Sequence, residues 1–211
     1  MLSSTQQRIE SLLTTIDRLG VVKIKHLQQI HDLKSYRNAC RVVNQLKPYV
    51  HETFFEREKV IYLNKEGLEL IGSEKEIKKS TQMAHSLLRN EVYIYFGCPY
   101  DWQNEYAIEA NLRPPSNFEI HCLGVKLNNK KKVVCDAVYK RNGYLHLVEI
   151  DNTQSMAENK RKIEAYREVL PHVKENVPIL YFFTTTEIRK RKFEELLRGM
   201  RYKVHTFEEI K

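Results

Sequence analysis

The stretch "VVCDAVYKRNGYLHLVEID", residues 133–151, constrains the fold more than any other part of the chain. It reads as two strands joined by a turn near "KRNG", with one acid in the middle of the first strand and two at the end of the second. Buried strands seldom hold carboxylates without compensation, because an isolated ionised acid out of water is costly. Side chains alternate between the faces of a strand, so Glu149 and Asp151 project to one side and Ile150 to the other. The hairpin sets Asp136 beside that pair. Three such acids repel one another if all are ionised. A divalent ion with oxygen ligands, Mg²⁺ or Mn²⁺, resolves the conflict. The plainer reading is that Asp136 caps a turn and Glu149 pairs with Lys160 or Lys162.

The elements around this hairpin give an α/β pattern over residues 99–211. "WQNEYAIEANLRPPSNFEI" supplies a short element and a Pro-Pro loop before it. After it come a helix in "MAENKRKIEAYREVL", a continuous apolar strand in "PILYFFTTT", a helix in "EIRKRKFEELLRGM" and a strand in "YKVHTFEEI". A central mixed sheet flanked by helices is expected.

Residues 1–72 are organised differently. "SSTQQRIESLLTTIDRLG" places Ile9, Leu12, Leu13, Ile16 and Leu19 on one helical face, with Ser3 or Ser4 as cap and Gly20 as stop. "KIKHLQQIHDL" is a short second helix. A third starts at Ser35 and buries Ala39, Val42, Val43 and Leu46. Its opposite face carries Tyr36, Arg37, Asn38, Arg41 and Asn44. "YVHETFFEREKVIYLNKEG" then reads as a hairpin around the charged turn "EREK". Three helices and a hairpin are the order of a winged helix-turn-helix, whose third helix enters the major groove of double-stranded DNA. Arg can grip guanine and Asn adenine by paired hydrogen bonds. Ser35, Tyr36, Arg37, Asn38 and Arg41 are therefore the expected DNA-binding residues, with Arg57 and Lys59 of the hairpin reaching phosphate. Residues 73–98 are expected to form a linking helix from about Lys75 to Phe96, its back half packed on the second domain.

Basic residues exceed acidic ones by 35 to 27, with 14 against 10 in residues 1–80 and 21 against 17 in the remainder. The excess is not confined to a tail and is compatible with a polyanionic partner. No apolar run is long enough to cross a bilayer, so no membrane association is expected, and "MLSSTQQRIE" has no secretory pattern. Cys40, Cys98, Cys122 and Cys135 are widely spaced, without a zinc signature, as suits reduced thiols in the cytoplasm.

Asp136, then Glu149 about a dozen residues on, then a residue two beyond it, resembles the PD-(D/E)xK arrangement of restriction-endonuclease-like nucleases. More specifically, "HSLLRNEVYIYF", the acid in "WQNEYAI", "CDAVY", "LVEID" and "KIEAY" together resemble the replication-relaxation family of plasmids and mobile elements, over nearly the whole chain. That resemblance implies a winged helix followed by a restriction-endonuclease-like domain. It implies Asp136 and Glu149 as metal ligands, and Glu105 as a further acid carried by many members on a first core helix. Two positions depart from the pattern. Cys135 stands where Pro is preferred, and Asp151 stands where the pattern has the catalytic Lys. Lys160 or Lys162, on the following helix, could supply the missing charge.

Three functions follow as expectations. The first is a sequence-specific DNA-binding protein of a plasmid or mobile element, acting in replication, transfer or its control, with a degenerate nuclease-like domain. The second is a Mg²⁺- or Mn²⁺-dependent nicking enzyme using Asp136, Glu149, Asp151 and Lys160 or Lys162. The third is a repressor that binds its operator as a homodimer.

Overall fold

The computed structural model describes residues 4–75, 82–111, 130–152 and 154–210. It divides into a first unit ending at Tyr100 and a second beginning at Asp101. Among the described residues no helix is long and apolar enough to cross a membrane.

The first unit opens with α1 (Ser4–Leu19), β1 (Val22–Lys23), α2 (Ile24–Ile30) and α3 (Tyr36–Asn44). The expected apolar face is largely what α1 buries: Leu12, Leu13, Ile16 and Leu19 are inaccessible, whereas Ile9 is half-buried. Gly20, at φ +83, ends the helix while its N–H donates to the Ile16 carbonyl at 2.8 Å. Ser35 caps α3 as expected, its Oγ accepting from the Asn38 N–H at 3.2 Å. Ala39, Val42, Val43 and Leu46 are buried. Next come β2 (Val50–Phe55) and β3 (Glu58–Leu63), and the first three strands form one sheet in the order β1-β3-β2. Helix, strand, helix, helix and hairpin follow one another in the order expected for a winged helix.

Two further helices complete this unit, α4 (Lys65–Leu70) and α5 (Met83–Tyr95). Gly67 in α4 is demanded by packing, because a Cβ there would lie 2.2 Å from the Tyr49 carbonyl oxygen. The linking helix was expected to pack its back half on the second domain. The structure instead engages that half with the first unit, because the hairpin sheet has apolar side chains on both faces. Leu87 joins Val21 and Val60 in a small core, and Asn90 donates to the Val21 carbonyl at 2.6 Å. Glu91 meets the buried His26 ring at 3.1 Å. The part of that expectation falling on residues 76–81 lies outside the described residues, as does the Pro-Pro loop.

The second unit holds β4 (Gln103–Asn111), β5 (Lys130–Arg141), β6 (Tyr144–Asp151), α6 (Met156–Val169), β7 (Val177–Thr184), α7 (Glu187–Leu196) and β8 (Tyr202–Thr206). The sheet order is β4-β5-β6-β7-β8. Its first three strands run antiparallel and its last three parallel, the mixed sheet the sequence implied. The turn between β5 and β6 uses Asn142 and Gly143, at φ +52 and +78. Both lie in the left-handed region that a two-residue hairpin demands and that Asn-Gly adopts readily. Helices α6 and α7 supply Ile163, Tyr166, Val169, Phe193 and Leu197 to one core with Leu145, Leu147, Leu180, Phe182 and Val204 of the sheet. A capping box fixes the start of α6: Ser155 Oγ accepts from the Glu158 N–H, and Glu158 accepts from the Ser155 N–H.

Candidate functional site

The β5–β6 ladder runs from Arg141↔Tyr144 to Ala137↔Val148, which leaves Asp136 and Glu149 opposite each other at its open end. The β4–β5 ladder also passes over Asp136: it pairs Asn104 with Ala137 and Tyr106 with Cys135. Glu105, between those positions, has φ +54. Strict alternation therefore fails here, and Cys135 packs in the same core as Val138 despite their opposite parity. Interruptions of this kind re-aim side chains and recur beside functional sites. Asp136 Oδ2 accepts from the Ile150 N–H at 2.6 Å, in place of the ladder bond that ends at Ala137.

Glu149 sits under α6, where Lys162 and Tyr166 are one turn apart and face the sheet together. Lys162 Nζ donates to Glu149 Oε2 at 2.5 Å, and the Tyr166 hydroxyl donates to Oε1. Only 5% of the Glu149 side chain is accessible. Burial, with the neighbouring Asp136 charge adding to it, pushes the Glu149 carboxyl up to about 8 against the opposing pull of Lys162 and Tyr166. Burial alone would lower Lys162, but the attraction of Glu149 and Asp136 outweighs it and holds the ammonium above its ordinary value. Burial also raises the Tyr166 hydroxyl and the Cys135 thiol.

Asp151 belongs to a different cluster. Its side chain is 1% accessible. Oδ1 accepts from Asn159 at 2.8 Å and Arg189 Nη2 at 2.5 Å, and Oδ2 accepts from Thr184 at 2.7 Å and Arg189 Nε at 2.6 Å. Four donors, two of them from one guanidinium fork, saturate the carboxylate. Thr186 sets this geometry by capping α7 at the Arg189 N–H.

The structure thus brings together Asp136, Glu149 and Lys162. It sets Asp151 apart with Arg189, and leaves Lys160 and Glu105 exposed. Glu105 lies on a strand, where the resemblance implied a helix. Among the described residues no group of three His, Cys, Asp or Glu side chains is placed to hold a metal ion. With both Glu149 oxygens engaged and an ammonium on one of them, the residues as they stand do not fit a divalent ion. Sequence reasoning missed Asn159, Thr184 and Arg189, and nothing in the local pattern singles them out.

The expected DNA-binding residues are divided likewise. Tyr36, Arg37 and Arg41 are exposed on α3, and Arg57 is exposed at the tip of the β2–β3 hairpin. Ser35 is spent as the helix cap. Asn38 is half-buried and donates to the Leu33 carbonyl at 2.9 Å while accepting from Arg41 at 2.9 Å. Lys59 donates to Glu52 at 2.7 Å.

A family model described as replication-relaxation matches residues 13–178, most of the chain. The protein belongs to the replication-relaxation family. The matched span takes in both units and holds Glu105, Asp136, Glu149, Asp151, Lys160 and Lys162, but stops short of Arg189. This replication-relaxation chain has no match among curated proteins. A similar solved structure is that titled protein VC1899 from Vibrio cholerae, at 14% identity and a TM-score of 0.37. The likeness covers 98% of the present chain and 48% of that one, so this chain spans about half its length.

Proposed function

We propose that this replication-relaxation protein is a sequence-specific, double-stranded-DNA-binding protein of a plasmid or mobile element, acting in its replication, transfer or their control. The winged helix of the first unit reads the DNA, and the nuclease-like second unit serves without cleaving. The observation that carries this reading is the exposed row of Tyr36, Arg37 and Arg41 on a capped helix, beside a hairpin with Arg57 at its tip. Arg side chains on such a face can take guanine edges, while a tip cation neutralises phosphate. Family membership supports the element-borne role.

Selection of binding sites from a random duplex library, followed by titration at fixed salt, tests it. Arg37→Ala or Arg41→Ala should weaken the selected duplex by about 1–3 kcal/mol and relax specificity. Arg57→Ala should weaken all sequences alike and lower the salt slope by about 1. Unchanged affinity in all three variants would remove α3 and the hairpin as the reader.

The convergence of Asp136, Glu149 and Lys162 favours a second reading, a Mg²⁺- or Mn²⁺-dependent nicking enzyme. It requires the Lys162 ammonium to leave Glu149. Conversion of supercoiled plasmid to open circles that is lost in Asp136→Ala and Glu149→Ala would establish it. A homodimeric repressor, the third expectation, would hold its operator as a dimer with no effect of divalent metal, as sedimentation of the complex would show.

A further inference from the structure

The hairpin carries a side chain that reading duplex DNA does not use. Phe54 lies on β2, an edge strand of its sheet, and is 70% exposed. Its cross-strand partner is Lys59. Tyr36, 55% exposed, opens α3 and lies within electrostatic reach of Lys59 and Glu58. One open aromatic ring thus stands across the hairpin from Lys59, and a second opens α3 within electrostatic reach of the same lysine. Single apolar residues on a surface need no explanation, but a bare phenylalanine on a sheet edge invites association and is normally screened.

The charges around the rings point to the partner. Glu52 is paired with Lys59 and Glu58 with Lys23, which offsets both carboxylates beside the rings. Arg37 and Arg41 are exposed on α3, which Tyr36 opens, and Arg57 is exposed at the hairpin tip, with Glu56 the remaining acid there. The tip itself is built from Glu56 and Arg57, both left-handed at φ +48 and +66, where a hairpin would ordinarily place Asn or Gly. An arginine is thus held at the apex, three residues beyond Phe54 along the chain. Aromatic rings interleaved with cations are the surface that takes unpaired nucleic-acid bases, since every base has a π-face to stack upon. Intact duplex offers base edges only.

We propose that Phe54 stacks on an unpaired base, so that the first unit prefers DNA containing a melted segment over the same sequence fully paired. This rests on the DNA-binding reading above. Fluorescence anisotropy at fixed salt tests it, with a labelled duplex and the same duplex carrying a central mismatched bubble. The wild-type protein should favour the bubble by about tenfold, the lower range of one stacked base. Phe54→Ala should abolish that preference while leaving duplex affinity unchanged, and Phe54→Tyr should retain it. Arg41→Ala should weaken both probes together. Because Phe54 is exposed, a thermal melt of Phe54→Ala should match wild type. Equal wild-type affinity for the two probes, or a preference surviving in Phe54→Ala, overturns the inference and leaves duplex reading intact. Failure to bind either probe removes both.

Discussion

Arg189→Met tests the description of Asp151 as a clamp. The substitution keeps the aliphatic stem and deletes both guanidinium bonds to Asp151 and the one to the Gln154 carbonyl, leaving a 1%-accessible carboxylate held by Asn159 and Thr184 alone. Breaking a buried ion pair by removing one partner costs about 3–5 kcal/mol, because the remaining charge is uncompensated. Arg189 keeps 25% of its side-chain surface, so solvent screens part of the interaction and the lower figure, about 3 kcal/mol, is expected. For a unit of this size the melting temperature should fall by about 12 °C. Trp102, the chain's one tryptophan, is buried in the second unit, so its fluorescence during urea unfolding reports that unit. Asp151→Asn with Arg189→Met should be less damaging than the sum of the single changes, with coupling of at least about 1 kcal/mol. A loss under about 0.5 kcal/mol in Arg189→Met, the range of an ordinary surface change, would refute the argument, and so would strict additivity.

The Glu149 carboxyl is raised from 4.5 to about 8 in the folded chain, so between those values the native state holds a proton that the unfolded state has released. Stability should therefore decline as pH rises from about 4.5 to about 8, and Glu149→Gln should flatten that slope in Trp102-detected unfolding across the same range. Gly67→Ala places a methyl 2.2 Å from the Tyr49 carbonyl oxygen and should destabilise the first unit by about 1–3 kcal/mol, measured by chemical denaturation followed by far-UV circular dichroism.

The first unit was legible because its signals are local. Leu12, Leu13, Ile16 and Leu19 recur at helical spacing, Ser35 is followed by an amphipathic run, and the paired runs around "EREK" announce a hairpin. What escaped was the destination of α5: Val60 and Val21 need an apolar cover, and nothing in "MAHSLLRNEVYIYFG" says which unit it serves. In the second unit, alternation placed Glu149 and Asp151 on one face. The same rule misjudged the neighbourhood of Asp136, because the interruption opposite Glu105 is a backbone event with no glycine to mark it. Glu105 adopts φ +54 without the residue type that usually signals it. Arg189 was invisible for another reason. It reaches Asp151 across 38 residues, by a parallel crossover that brings α7 over the end of β6.

That crossover also explains why two acids on one face have separate partners. Glu149 pairs in the sheet with Phe182 and Asp151 with Thr184, at the end of both strands. The chain leaving β6 returns as α6, whose Lys162 and Tyr166 come down on Glu149. The chain leaving β7 begins α7, whose first turn puts Arg189 on Asp151. Each helix thus brings one cation to one carboxylate. The repulsion that three acids would suffer is reduced, though not abolished, by two organic cations already covalently part of the fold, and the Ile150 N–H takes up the Asp136 oxygen. A divalent ion is then an addition to a locally neutralised site, and it must compete with an ammonium 2.5 Å from Glu149. Lys162→Met would remove that competitor while keeping the stem. If Mn²⁺, followed by its electron paramagnetic resonance signal, binds Lys162→Met and not the wild-type chain, the lysine is what holds the cation's place. If neither protein binds Mn²⁺, the pair of Asp136 and Glu149 is too sparse a ligand set on its own, and the case for DNA rests on the first unit.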